Sequence, residues 1–409
     1  MKSSIKKHLL LSFVITCFLS VNIFPTDLCG QISGTLTLAG SPYIVTCNVL
    51  ILDGETLTIE AGVVIKFDLG KILEVAGTLI AEGMFGNRIK FTANDSTPEP
   101  GDWGQIYFMR SENSSLRNCI IEYAGAGASP NTAINLFFSD VSIRGTTIRK
   151  TLGSGMNISE SAPSISLFCL ITENTGIGID CDVFSAPIIK DSEISNNGDY
   201  AISMYAHNIN NIGAVTITGN GKNSIRMKGS GINTGIWLNH GVPYVIDGSL
   251  TVNDGQILII DAGNELRFNG DHTFKVDGTL IANGSFENQI KFVSNKLNPS
   301  PGDWRQLNFN NSDPGTSLRF CLISNGGSNT ASINMLNSNP FLDEVRVVNS
   351  ATSGINLSNS SPQIVNGWII GNAGLGVIAS FDSDPILNSC IIQDNGDYAI
   401  SMYADNIKI

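Results

Sequence analysis

The chain is poor in charge: 15% of its 409 residues are Asp, Glu, Lys or Arg, against roughly 25% in an ordinary soluble domain. Basic residues are the scarcer kind, 24 against 36 acids, and the formal net charge of −12 excludes nucleic acid or an anionic membrane as the main partner. Histidine is almost absent. The four present, His8, His207, His240 and His272, are too scattered for a histidine-rich metal site, and no CxxC pair supplies an alternative. No GxSxG, P-loop, HExxH or dinucleotide fingerprint occurs, so no reaction is written in the motifs. Beyond residue 30 no segment keeps a 3.6-residue apolar period, which predicts very little helix. What the chain does have is glycine, 42 residues, with asparagine equally common, and 42% hydrophobic residues. Together these describe turn-rich β structure around a large core.

The first thirty residues read as an export signal. Lys2, Lys6 and Lys7 precede an apolar run from Leu9 to Phe24, shorter than the roughly 20 residues that span a bilayer. The expected cut follows Gly30, leaving Gln31 first and no transmembrane span. Loss of three lysines and Asp27 would take the charge from −12 to −14. The expected location is secreted or cell-surface.

The rest of the chain is a tandem repeat. Residues 42–108 and 243–309 run in parallel at an offset of 201 without a gap. Gly77-Thr78-Leu79-Ile80-Ala81 answers Gly278-Thr279-Leu280-Ile281-Ala282, and Pro100-Gly101-Asp102-Trp103 answers Pro301-Gly302-Asp303-Trp304. Small deletions then shift the offset, until Asn197 to Ala206 recurs identically as Asn395 to Ala404. The expected organisation is a signal over 1–30, one unit over 31–234 and a second, apparently incomplete, over 235–409.

A shorter period lies inside each unit. Cys169-Leu170-Ile171-Thr172-Glu173-Asn174, Ser192-Glu193-Ile194-Ser195-Asn196-Asn197 and Cys390-Ile391-Ile392-Gln393-Asp394-Asn395 are versions of one strand and bend, recurring about every 22–24 residues. Two-residue alternation puts Ile121, Ile148, Ile171 and Ile194 on one side, with Cys119, Thr146, Cys169 and Ser192 beside them. The second unit repeats this with Ile323, Val347, Ile369 and Ile392. Three short strands per period, stacked at about 4.8 Å, make a parallel β-helix, an all-β solenoid in which equivalent positions form ladders along the axis.

The runs LTIEAGVVIKF, VAGTLIAEG, PGDWGQIYF and LRNCIIEYAG resemble those of secreted bacterial right-handed parallel β-helix repeat proteins, within the pectate-lyase-like fold superfamily. The resemblance covers almost all of the chain after the signal and implies a right-handed solenoid. It implies carbohydrate, as polysaccharide or cell-surface glycan, as the commonest ligand class, but not one activity, because lyases, hydrolases, adhesins and inert surface proteins share the architecture.

Candidate sites follow from outward positions. Asp180 and Asp182 flank inward Cys181 and are expected about 6.5–7 Å apart on the outer surface. Glu160 comes from the preceding coil, and no Arg or Lys is evident in that column. The second unit has Ile378 and Ser380 instead, so the acids belong to one copy. They can act as acid and nucleophile or hold Ca²⁺; an acidic chain also places Asp at outward positions with no further role. Trp103 and Trp304, in the duplicated Gly-Asp-Trp turns, can stack on sugar or simply cover a turn, and Tyr205 and Tyr403 fall on outward phases. Cys119 and Cys169 lie two coils apart, beyond disulfide reach, and read as buried free thiols, while Cys47 and Cys181 stay open. The expected function is a non-enzymatic scaffold presenting an elongated face to glycan or cell surface, with no cofactor. The alternative is a polysaccharide lyase or glycoside hydrolase working through the acids of the first unit.

Overall fold

Strands of two to nine residues follow one another along the chain, and every strand pairing is parallel. The structure, a computed structural model, describes residues 26–127, 129–380 and 382–403; the run from Leu9 to Phe24 lies outside them. Three strands make one coil. In the first unit the first face holds Cys119–Glu122, Thr147–Arg149, Leu170–Thr172, Ser192–Ser195 and Val215–Thr218. The second holds Thr132–Phe137, Ser154–Ser159, Ile179–Cys181, Tyr200–Tyr205 and Lys222–Lys228. The third holds Ser115–Arg117, Ser142–Arg144, Ser164–Ser166 and Ile188–Ile189. Two 3₁₀ turns, Leu38–Gly40 and Ala206–Asn211, are the helical segments among the described residues.

The expected ladders are present. Ile121, Ile148, Ile171, Ile194 and Ile217 stack in register and are buried, each contributing roughly 1.5–3 kcal/mol of apolar burial. The turn from third to first face is made at Asn118, Gly145 and Asp191, with φ of 47°, 56° and 48°. This left-handed region is where glycine, asparagine and aspartate meet the least steric resistance. At the next corner Asn174, Asn197 and Asn220 stack inside the wall, each side-chain amide donating to the next at 2.8 and 2.9 Å. The abundance of asparagine thus reflects two separate needs of the coil, its bends and its buried polar ladders.

One column of sixteen strands runs from Thr26–Gln31 to Ile391–Gln393, on the order of 70 Å at coil spacing. Its inward residues continue through the expected boundary at 234/235: Ile202, Ile225, Tyr244, Leu266 and Phe292 stack one upon the next. The two repeat units share one hydrophobic core.

They do not share one set of faces. At an offset of 201, Val64–Phe67 of the first face corresponds to Glu265–Phe268. The latter stacks on Tyr244–Asp247, and that strand stacks on Lys222–Lys228 of the second face. Equivalent strands are therefore displaced by one face around the axis. The cause is a corner that grows. Between second and third faces the linking segment is 138–141, then 160–163, then 182–187, then the 3₁₀ turn Ala206–Asn211. On this widened corner Gly231–Ile232 opens a new column continued by Leu250–Val252. The first face meanwhile ends at Val215–Thr218, and residues 238–243 pass over it as a turn.

At the other end, residues expected to leave with the signal are built into the first coil. Thr26–Gln31 pairs with Tyr43–Ile51, and Cys29 is disulfide-bonded to Cys47. A cut after Gly30 would sever this strand. Cys119, Cys169, Cys181 and Cys321 are buried free thiols, and Cys390 is half-buried. Burial pushes the Cys119 thiol up to about 12, leaving it inert.

Candidate functional site

Asp180 stands outward in the middle of Ile179–Cys181, as its alternation requires, but it is not free. The Lys228 ammonium lies 2.9 Å from its Oδ1 and also donates to the Cys181 carbonyl at 2.9 Å. Lys228 sits two coils further on, with its ammonium 5.5 Å from the centre of the Tyr205 ring. The expectation that no basic residue lies in this column is thus corrected: Asn157, Asp180, Ser203 and Arg226 are in register. A long side chain reaches across a coil that adjacent-coil reasoning treats as a barrier.

Asp182 has a different employment. Its Oδ1 accepts from Ser185 Oγ at 2.6 Å, Phe184 N at 3.0 Å and Glu160 N at 3.3 Å, so it organises the bend after its strand. Glu160, at φ 47°, faces a different cleft, which it lines with Glu112 and Asp140. The three acids read together in the sequence are not brought together as an acid–nucleophile pair. Nor do they form a Ca²⁺ cage: among the described residues no three His, Cys, Asp or Glu side chains are grouped to hold a metal ion.

Trp103 and Trp304 are 0% exposed, which corrects their candidacy as sugar platforms. Each stacks on a core phenylalanine, Phe67 or Phe268, at 4.1 Å. Each indole donates inward, to the carbonyls of Glu122 at 2.7 Å and Ser324 at 2.8 Å. A large ring at strand entry closes the core corner there and leaves no face to solvent. Tyr205 is half-buried beneath Lys228, and Tyr403 is 57% exposed.

Sequence reading missed a cleft on the surface. Where the first face gives way to the turn 238–243, a cleft of about 930 Å³ opens. Leu170, Val215 and Leu238 form its apolar walls, and Asp191, Glu193 and Asp261 bring carboxylates. Phe168 stands at one end, 83% exposed. It belongs to an anomalous bend: Leu167 and Phe168, at φ 56° and 66°, replace the single Asn, Gly or Asp of neighbouring coils. That substitution of an aromatic for a turn residue was the available signal. In the opposite wall, burial lowers the His240 pKa against a smaller opposing pull from Asp261, so the ring is neutral at pH 7. Its Nε2 is buried without a hydrogen-bond partner. No lysine or arginine lines the cleft.

Residues 84–250 match the family model described as the right handed beta helix region. The fold of the chain is a right-handed parallel β-helix. No curated protein matches it in sequence. Among solved structures this β-helix is similar to the mannuronan C-5 epimerase AlgE4 A-module of Azotobacter vinelandii, at 12% identity over 93% of this chain and 89% of that one, with a TM-score of 0.22. It is also similar to the surface protein and adhesin PfbA of Streptococcus pneumoniae, at 12% identity over 92% and 90%, with a TM-score of 0.23. A third is a GH87 α-1,3-glucanase catalytic domain, at 13% identity over 92% and 61%, with a TM-score of 0.20. Likeness this slight transfers no residue role to the β-helix. Among its described residues no helix is long and apolar enough to cross a membrane.

Proposed function

We propose that the protein is an exported, non-enzymatic β-helix module, secreted or held at the cell surface, that contacts glycan along its rigid outer wall. The observation that carries this reading is the junction cleft, where an exposed Phe168 ring stands beside apolar walls and hydrogen-bonding carboxylates. Apolar surface with a few convergent polar groups suits a sugar, whose ring has apolar faces and a hydroxylated rim. Tyr205 and Tyr403 are further outward contacts in this proposal. The polysaccharide-cleaving alternative asks for two carboxyl groups facing one bond across open space. Asp180 is paired with Lys228 and Asp182 is bonded into its bend, which favours the binding reading.

Two assays on the purified chain test it. Retention on a panel of immobilised polysaccharides is expected for the wild type and weakened in Phe168→Ala. Reducing-end release is expected on none of them. Release that vanishes in the Asp180→Asn/Asp182→Asn double variant would replace the binding module with an enzyme.

A further inference from the structure

The junction cleft has a direction and a sign. Leu170, Glu193 and Thr216 are in register on successive coils, and the same cleft continues past Leu238 to Asp261. Four coil steps make it on the order of 19 Å long, parallel to the solenoid axis. That length suits an oligomer laid along the axis. The carboxylates Asp191 and Glu193 enter from one coil and Asp261 from another, and the one basic side chain in the lining, His240, is held neutral. Glu193 already accepts from Ser195 Oγ at 2.7 Å and keeps lone pairs for another donor. The whole chain, at −12, adds a field of the same sign.

This combination discriminates among glycans. A polyuronate or sulfated chain meets like charge on entry. A neutral chain would cover carboxylates without returning a charge-assisted bond, and covering an unpaired charge is unfavourable. An amino sugar supplies an ammonium to the carboxylates while its ring lies against Phe168 and the leucines. Resting on the glycan reading above, we propose that this cleft is a binding site for a glycan carrying free amino groups, a hexosamine oligomer lying along the axis from Phe168 to Asp261.

Calorimetric titration with a β-1,4-linked glucosamine tetramer, its fully N-acetylated counterpart and tetralysine tests this, because the two sugars share a backbone and differ in charge. The glucosamine tetramer is expected to bind at least tenfold more tightly than the N-acetylated one, and to weaken as salt is raised. Phe168→Gly, which suits the left-handed bend, and Glu193→Gln/Asp261→Asn are each expected to weaken it about tenfold. The distant charge-matched control Asp53→Asn/Glu55→Gln is expected to change nothing. Equal or tighter binding of the N-acetylated tetramer would overturn the amine proposal while leaving glycan binding intact. Binding of tetralysine in preference to glucosamine would overturn it in favour of a basic protein partner. An equal loss in the distant control would reduce it to general attraction between opposite charges. Binding of neither sugar would also overturn it, and polysaccharide retention would then judge the glycan reading separately.

Discussion

Lys228 and Asp180 are 48 residues apart in sequence and 2.9 Å apart in space, the lysine spanning the Tyr200–Tyr205 strand to reach the carboxylate. Both side chains are at most one-third exposed, and Ser203 beneath them is fully buried. The pair fastens three successive coils. Asp180→Asn removes the charge that faces the ammonium, and is expected to destabilise by about 1–3 kcal/mol. Lys228→Met should have a similar effect. In urea melts the double variant is expected to lose less than the sum of the two, the mark of a direct partnership.

Asn197 occupies the middle of a buried ladder. Its amide donates to Asn220 Oδ1 and to the Ile171 carbonyl, while its own oxygen accepts from Asn174. Replacement by Ala strands partners on both sides, and a loss of about 2–4 kcal/mol is expected in chemical unfolding. Asn196, next door at φ 55°, makes the bend instead. Its change to Gly should be nearly neutral, and an equal loss at both positions would refute the ladder's role.

The first coil is stapled by Cys29–Cys47. Thiol titration of the unfolded chain is expected to rise by two groups on reduction. Cys47→Ser should remove about 3 kcal/mol from this coil, as expected for a short disulfide-closed loop, seen as faster proteolysis near Thr26. For the exported protein we propose a signal cut upstream of Thr26. N-terminal sequencing of the mature chain is then expected to retain Cys29.

Glu122 is the most consequential buried acid, its side chain 2% exposed between Lys90 and Arg149. Burial alone would raise its pKa; hydrogen bonds from Lys90 and Arg149 outweigh it and hold the carboxyl below its ordinary value. A carboxylate depressed in the folded state contributes stability above its unfolded pKa and loses it as pH falls through the folded value. Melting temperature should therefore fall on acidification below about pH 4.5. Glu122→Gln is expected to flatten that slope while lowering stability at neutral pH.

The ladders were legible in the sequence because stacking repeats each choice: Ile121, Ile148, Ile171 and Ile194 occur at coil spacing and mean the same thing each time. The indoles of Trp103 and Trp304 were ambiguous because a Gly-Asp-Trp turn does not say which way its ring swings. Stacking on Phe67 and Phe268 decides it. The Lys228–Asp180 contact escaped notice because it skips a coil. The cleft escaped because it belongs to no repeat: it forms where Ala206–Asn211 widens one corner and another face runs out.

That widened corner bears on what duplication achieves. Two copies of a contact patch aligned on one side of a rod would grip a single flat surface together and gain from each other's proximity. Here the copies look out over neighbouring sides. A surface patch present in both copies therefore faces two directions, and a straight line drawn along one does not continue onto the other. Duplication thus turns equivalent surfaces toward two sides of one rod, where an in-line repeat would have lengthened a single surface.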